Sequence, residues 1–182
     1  MAVRAGRAQL RPLHFVQHPL PQAQRGAAVS TVIVGIGNRD RADDGAGPAL
    51  VDRLAAAGLA GVTLAVAPGD MLSVLDLLDG ASMAILVDAM KAGLEAGAVR
   101  RLDVSSSPLK GELNAFASTH LIGLGDAIEL ARTLGRLPPR VILYGVEARD
   151  FTQGRGLSGP VQAALPELER QIREDCACTK PH

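Results

Sequence analysis

Cysteine is scarce in this chain: Cys176 and Cys178 are its two, one residue apart near the C-terminus, a separation poor for a structural disulfide and suited to a reducing compartment. Net charge is missing as well. The 19 basic and 19 acidic residues cancel, so there is no electrostatic hold on nucleic acid or on an anionic membrane. No apolar run approaches the ~20 residues that span a bilayer, and the first residues lack the apolar core of a secretory signal. These absences read as a soluble, cytoplasmic protein that binds through a local site. Acid is absent from residues 1–29, where Arg4, Arg7, Arg11 and Arg25 stand among Gln and Pro. That stretch reads as a flexible extension, or as a start placed upstream of the true one, without chemistry of its own. Histidine is short too. His14 and His18 fall in the extension and His182 is the last residue, which leaves His120 in the folded part.

What is present is enough for one core. With 182 residues, 47% of them apolar, the chain can bury one substantial core but hardly two. The expected organisation is an extension over 1–29, a single α/β domain over 30–175 and a tail over 176–182. Short aliphatic runs predict strands at Thr31–Ile36, Val62–Ala67, Met83–Asp88, Ala98–Val104 and Val141–Val146. Helices are expected at about 46–57, 71–79, 121–135 and 160–174. In the last, Val161, Leu165, Leu168 and Ile172 form one apolar stripe behind Pro160. The alternation implies a three-layer α/β sandwich, its five-stranded sheet covered by helices on both faces. Only nine residues separate Asp88 from Ala98, too few for a parallel crossover, so the fourth strand is expected to be an antiparallel edge. The other strands should be parallel, with the loops after the first and third opening on one edge of the sheet, where ligands of such sheets bind.

Three polar positions converge on that edge. Asp43 and Asp44 follow the first strand in "VIVGIGNRDRADDGAGPAL", where Gly35 and Gly37 let the backbone turn tightly. The plain reading of the pair is helix capping, which needs only one of them. Asp88 ends the run "MAILVD", and an ionised group there is costly unless paired, bonded or bound to metal, although such residues often cap loops. His120 stands in "FASTHLIGLGDAIELA", at a loop-to-helix junction. A lone histidine is more often an ordinary polar residue than a ligand. Two carboxylates and an imidazole together, however, are an N/O ligand set with open positions, suited to a divalent transition metal held for chemistry. Ser105–Ser107 lack a nucleophile-elbow motif and would share the one histidine, and the two cysteines lie beyond the last expected helix.

Other classes fit less well. A dinucleotide site wants a third glycine where Asp40 stands, and its anionic ligand would face the acidic pair. A phosphoacceptor receiver domain needs a lysine at the end of its fifth strand. Here "VILYGVEARD" has none, and Lys91, Lys110 and Lys180 lie elsewhere.

The run "VGIGNRDRADDGAGPAL", with "ILVDAM" and "STHLIGLGDAIELARTLGRLPPRVILYGVEARDF", resembles the hydrogenase maturation proteases, endopeptidases that trim the C-terminus of the large subunit of [NiFe] hydrogenases. The resemblance covers nearly everything from Thr31 to the last helix. It implies a twisted, mostly parallel five-stranded sheet between helices and a probe for nickel already loaded in the precursor, with no metal or organic cofactor kept by the enzyme. The family's metal-binding positions fall on Asp44, Asp88 and His120, with the nickel supplied by the substrate, and Asp43 is left to cap the helix or orient its neighbour. The implied partner is the large-subunit precursor, docked transiently by a monomer. Many members carry Asp-Gly-Gly-Thr after the second strand, in a loop associated with substrate recognition. This chain has Ala67-Pro68-Gly69-Asp70 there, so Asp70 does not inherit that role. The alternative reading of the same three residues is a metallohydrolase that keeps its own zinc or manganese.

Overall fold

A computed structural model describes residues 30–68, 70–105 and 121–178; the expected extension before residue 30, Ser106–Ser107 and His120 lie outside them. The strands are β1 (Thr31–Ile36), β2 (Val62–Ala67), β3 (Met83–Met90), β4 (Val99–Asp103) and β5 (Arg140–Glu147). The helices are α1 (Ala46–Ala56), α2 (Met71–Leu78), α3 (Leu121–Thr133) and α4 (Gly159–Ala177). Across the sheet the order is β2-β1-β3-β5-β4. β1, β2, β3 and β5 run parallel, and β4 pairs antiparallel with β5 at the edge, as the short connection requires.

The two-residue period of the strands sorts the core into two layers. Val32, Val34, Ala84 and Leu86 face one way and pack with Val74 and Leu78 of α2 and Leu124 and Ile128 of α3. Ile33, Ile85 and Ile142 face the other way and meet Leu50 and Leu54 of α1 and the Val161, Leu165, Leu168 and Ile172 stripe of α4. Each such aliphatic side chain taken out of water contributes roughly 1.5–3 kcal/mol. The sheet is therefore sandwiched between helices, the three-layer architecture expected.

Two of the element ends that differ from the sequence reading change where named residues lie. β3 continues to Met90 because β5 pairs with it as far as Met90↔Glu147, so Asp88 sits inside the strand, opposite Gly145, and does not end it. α4 continues to Ala177, which makes Cys176 part of the helix, half-buried against the α1/α4 layer, where the expectation put it in an exposed tail. The cause is Asp175. Its carboxylate accepts from Arg101 Nε at 3.0 Å and Nη2 at 2.9 Å on β4, from Tyr144 Oη at 2.7 Å on β5 and from Arg140 Nη2 at 3.3 Å. That tertiary anchor holds the last turn of the helix on the sheet. Burial, with the Asp175 charge beside it, pushes the Cys176 thiol pKa up and so disfavours the thiolate.

The chain leaves the neighbouring strands β1 and β3 in opposite directions, to β2 on one side and to β4 and β5 on the other. Such a reversal opens a crevice beyond the C-terminal ends of the two strands, the general ligand position in open α/β sheets.

Candidate functional site

Close backbone packing builds the crevice. A Cβ on Gly47, in the first turn of α1, would stand 2.5 Å from the Val87 carbonyl oxygen and 2.6 Å from Ile36 N, so the helix start rests directly on the end of β1 and on β3 at Val87. Gly37 turns the chain off β1 with φ of 127°, and its N–H donates to the Ala67 carbonyl at 3.0 Å. Gly35 keeps the strand conformation; its lack of a Cβ serves instead to admit Gly47, whose carbonyl oxygen would lie 2.3 Å from one.

Asp43 and Asp44 fall in a single 3-10 turn, Ala42–Gly45, that leads into α1. Neither carboxylate caps it or the helix, so the capping reading does not hold. Both are fully buried, and they do different things. Asp44 turns back toward β1: its Oδ2 accepts from Asn38 N at 3.0 Å and lies 3.8 Å from Arg41 Nη1. Arg41 also stands over the Phe151 ring, 6.0 Å from its centroid. Asp43 turns toward the segment between β5 and α4. Its Oδ2 accepts from Arg149 N at 2.7 Å, Asp150 N at 2.9 Å and Ser158 Oγ at 2.9 Å, and its Oδ1 from Ser158 N at 2.6 Å.

Asp88 is 2% exposed. Its place in β3, in step with Ala84, Leu86 and Met90, assigns it to the sheet face covered by α2 and α3. The 3-10 turn that carries Asp44 packs against β3, so both acids belong to one end of the sheet. Ionised carboxylates taken this far out of water require hydrogen bonds, cations or a metal. Among the described residues no three His, Cys, Asp or Glu side chains are grouped as a metal site. His120 lies outside those residues and immediately precedes α3.

Glu147, equally buried, was missed by the sequence reading. Its carboxylate accepts from Ala92 N at 2.9 Å and Gly93 N at 3.0 Å and so shapes the turn between β3 and β4. An acid at the end of the apolar run "VILYGVE" is the same signal that singled out Asp88. Ser105 belongs elsewhere: its Oγ accepts from Val141 N at 3.0 Å, at the start of β5 and the opposite edge of the sheet. Asp70 is the N-cap of α2, accepting from Ser73 N at 2.9 Å.

Between the two loops that Asp43 joins runs a shallow cleft of about 150 Å³, with Ala42, Gly45 and Ala49 on one side, Gly156 and Leu157 on the other, and Arg39 at its margin. Its volume is well below the roughly 300–1,000 Å³ of small-molecule pockets, which counts against a dinucleotide there.

The sequence model of the hydrogenase maturation protease family matches residues 65–175. A comparison with curated proteins gives no match. Among solved structures, the fold is similar to the [NiFe] hydrogenase maturation protease HybD from Thermococcus kodakarensis, with 22% identity, a TM-score of 0.67 and coverage of 80% of this chain and 97% of that one. It is also similar to the maturating endopeptidase HybD from E. coli, at 21% identity and a TM-score of 0.63 over 79% of this chain and 89% of that one. A hydrogenase 2 maturation peptidase from a Thaumarchaeota archaeon shares 25% identity with a TM-score of 0.61, over 81% of this chain and 97% of that one. The match of the family model runs from the end of β2 to Asp175, through β3 with Asp88 and every later element, and on that span the chain belongs to the hydrogenase maturation protease family.

Proposed function

We propose that this protein is a cytoplasmic, monomeric endopeptidase that removes a C-terminal extension from the nickel-loaded large-subunit precursor of a [NiFe] hydrogenase, and that Asp44, Asp88 and His120 bind the nickel the precursor brings. The observation that carries the reading is the burial of two carboxylates, Asp44 and Asp88, at one end of the sheet beside the strand-order reversal. A second support is chain order: α3, which follows His120 directly, packs on the face to which alternation assigns Asp88.

The chemistry of the donor set fits a cation that arrives with the substrate. Two carboxylate donors and one imidazole leave positions for ligands from the precursor, and oxygen and nitrogen donors suit a divalent first-row metal. Asp44, Asp88 and His120 would hold the nickel there, and the ion would supply an anchor for the precursor, a Lewis acid at the scissile carbonyl or an activator of water. Asp44 is held for this by the Asn38 N–H, which fixes one oxygen of its carboxylate. Incubation of the purified protein with nickel-loaded and nickel-free precursor tests the reading. Cleavage of the loaded form alone is expected; equal cleavage of both, or of neither, overturns it.

A further inference from the structure

The segment from Ala148 to Ser158, between β5 and α4, has no regular structure, and seven hydrogen bonds sew it to residues 40–43. Four of them enter the Asp43 carboxylate. The others are backbone bonds: Asp43 N to Asp150 O at 3.0 Å, Ala42 N to Arg155 O at 2.9 Å and Gly154 N to Asp40 O at 2.6 Å. A helix cap uses one or two donors. Four donors on one buried carboxylate, drawn from three residues of a distant loop, are a device for fixing that loop.

What the loop does is set by where it lies. It supplies Gly156 and Leu157 to the cleft whose other wall, Ala42 and Gly45, flanks Asp44 in the chain. Ala42, Gly45 and Ala49 on one wall and Gly156 on the other leave room for an extended backbone, and Gly45 joins that wall directly to Asp44 in the chain. We infer that Asp43 is a positioning residue for the substrate: it holds the 148–158 loop as one wall of a peptide-binding cleft, and the precursor segment next to the cut lies in that cleft. This rests on the endopeptidase reading above. It adds a role for the acid that the metal set leaves over.

Asp43→Asn is the informative change. The side chain keeps one acceptor for Ser158 but turns an amide N–H₂ toward the Arg149 and Asp150 N–H groups, so the loop is released at that end while Asp44 and its Asn38 bond stay. With a nickel-loaded precursor that the wild-type protein processes, KM for D43N should rise at least tenfold while kcat falls less than threefold. In hydrogen exchange of the full chain, the Arg149 and Asp150 amides should exchange at least tenfold faster and the Asn38 amide should not change. An unchanged KM, or a fall in kcat alone, overturns the inference, as does unaltered exchange at Arg149 and Asp150. Ser158→Ala removes one of the four donors and serves if D43N does not fold; its KM should lie between wild type and tenfold, and an unchanged KM has the same force. Wild-type protein that cleaves no precursor overturns the endopeptidase reading itself, whereas wild-type cleavage with an unaltered KM in the variants overturns only the inference drawn from the loop.

Discussion

Asp43 and Asp44 are neighbours in one turn and equally buried, yet one faces four donors from a loop more than a hundred residues away and the other faces the start of its own turn. Burial alone therefore does not say what a carboxylate holds in place; the source of its donors does. On the proposed function, Asp88→Asn removes the charge that binds the cation while keeping the shape of the side chain, and a site built on three ligands tolerates that poorly. Processing of nickel-loaded precursor should fall on the order of a hundredfold or more, the upper end of what even an indirect metal partner costs. The melting temperature should stay within a few degrees, because Asn is nearly isosteric. A variant that processes at the wild-type rate removes Asp88 from the site. The acids were legible as acids near strand ends. The loop that Asp43 holds was not, since the Arg149, Asp150 and Ser158 donors are brought to it only by the finished fold.

At the scale of elements, the contact between α1 and the sheet is made through glycine. Replacing a helical Gly by Ala ordinarily stabilises by up to ~1 kcal/mol through propensity. At Gly47 the sign reverses, because the new methyl would meet backbone of both β1 and β3 within 2.6 Å, and neither central strand can retreat. Overpacking of this kind costs about 1–3 kcal/mol or more. Gly47→Ala should lower the urea midpoint of unfolding and shift α1 outward, with the turn that carries Asp44 moving too; a gain in stability would show that the helix has slack. Strands and helices were readable because the apolar runs are short and β-branched and the α4 stripe keeps its spacing. The antiparallel edge followed from the length of one connection. The true end of α4 was hidden, because Asp175 is held by arginines and a tyrosine on β4 and β5, and spacing within the helix carries no trace of them.

For the whole molecule, the Asp175 cluster ties stability to pH at both ends. Burial works to raise the Asp175 pKa, but hydrogen bonds from Arg101 and Tyr144 and the charges of Arg101 and Arg140 outweigh it and hold the carboxyl below its ordinary range. A depressed folded pKa contributes stability above the unfolded value, near pH ~3.9, which is lost as pH falls through the lower folded value. Tyr144 shifts the other way: burial and its bond to the Asp175 carboxylate raise its pKa. Its contribution is complete below the unfolded value, near pH ~10, and is lost as pH rises through the higher folded one. Urea unfolding across this range should show a plateau with an acid and an alkaline limb, and Asp175→Asn should flatten the acid limb; a limb unchanged in that variant assigns it to other carboxylates.

The Asp43 staple also has a direction in time. Ser158 follows Asp43 by 115 residues, so a ribosome adding about 5–20 residues per second delivers the lock roughly 6 to 23 seconds after the turn it closes. For that interval the acidic turn exists without the donors that settle it. A chain cut short before residue 149 would therefore carry the acidic turn but none of the four donors that the Asp43 carboxylate accepts from.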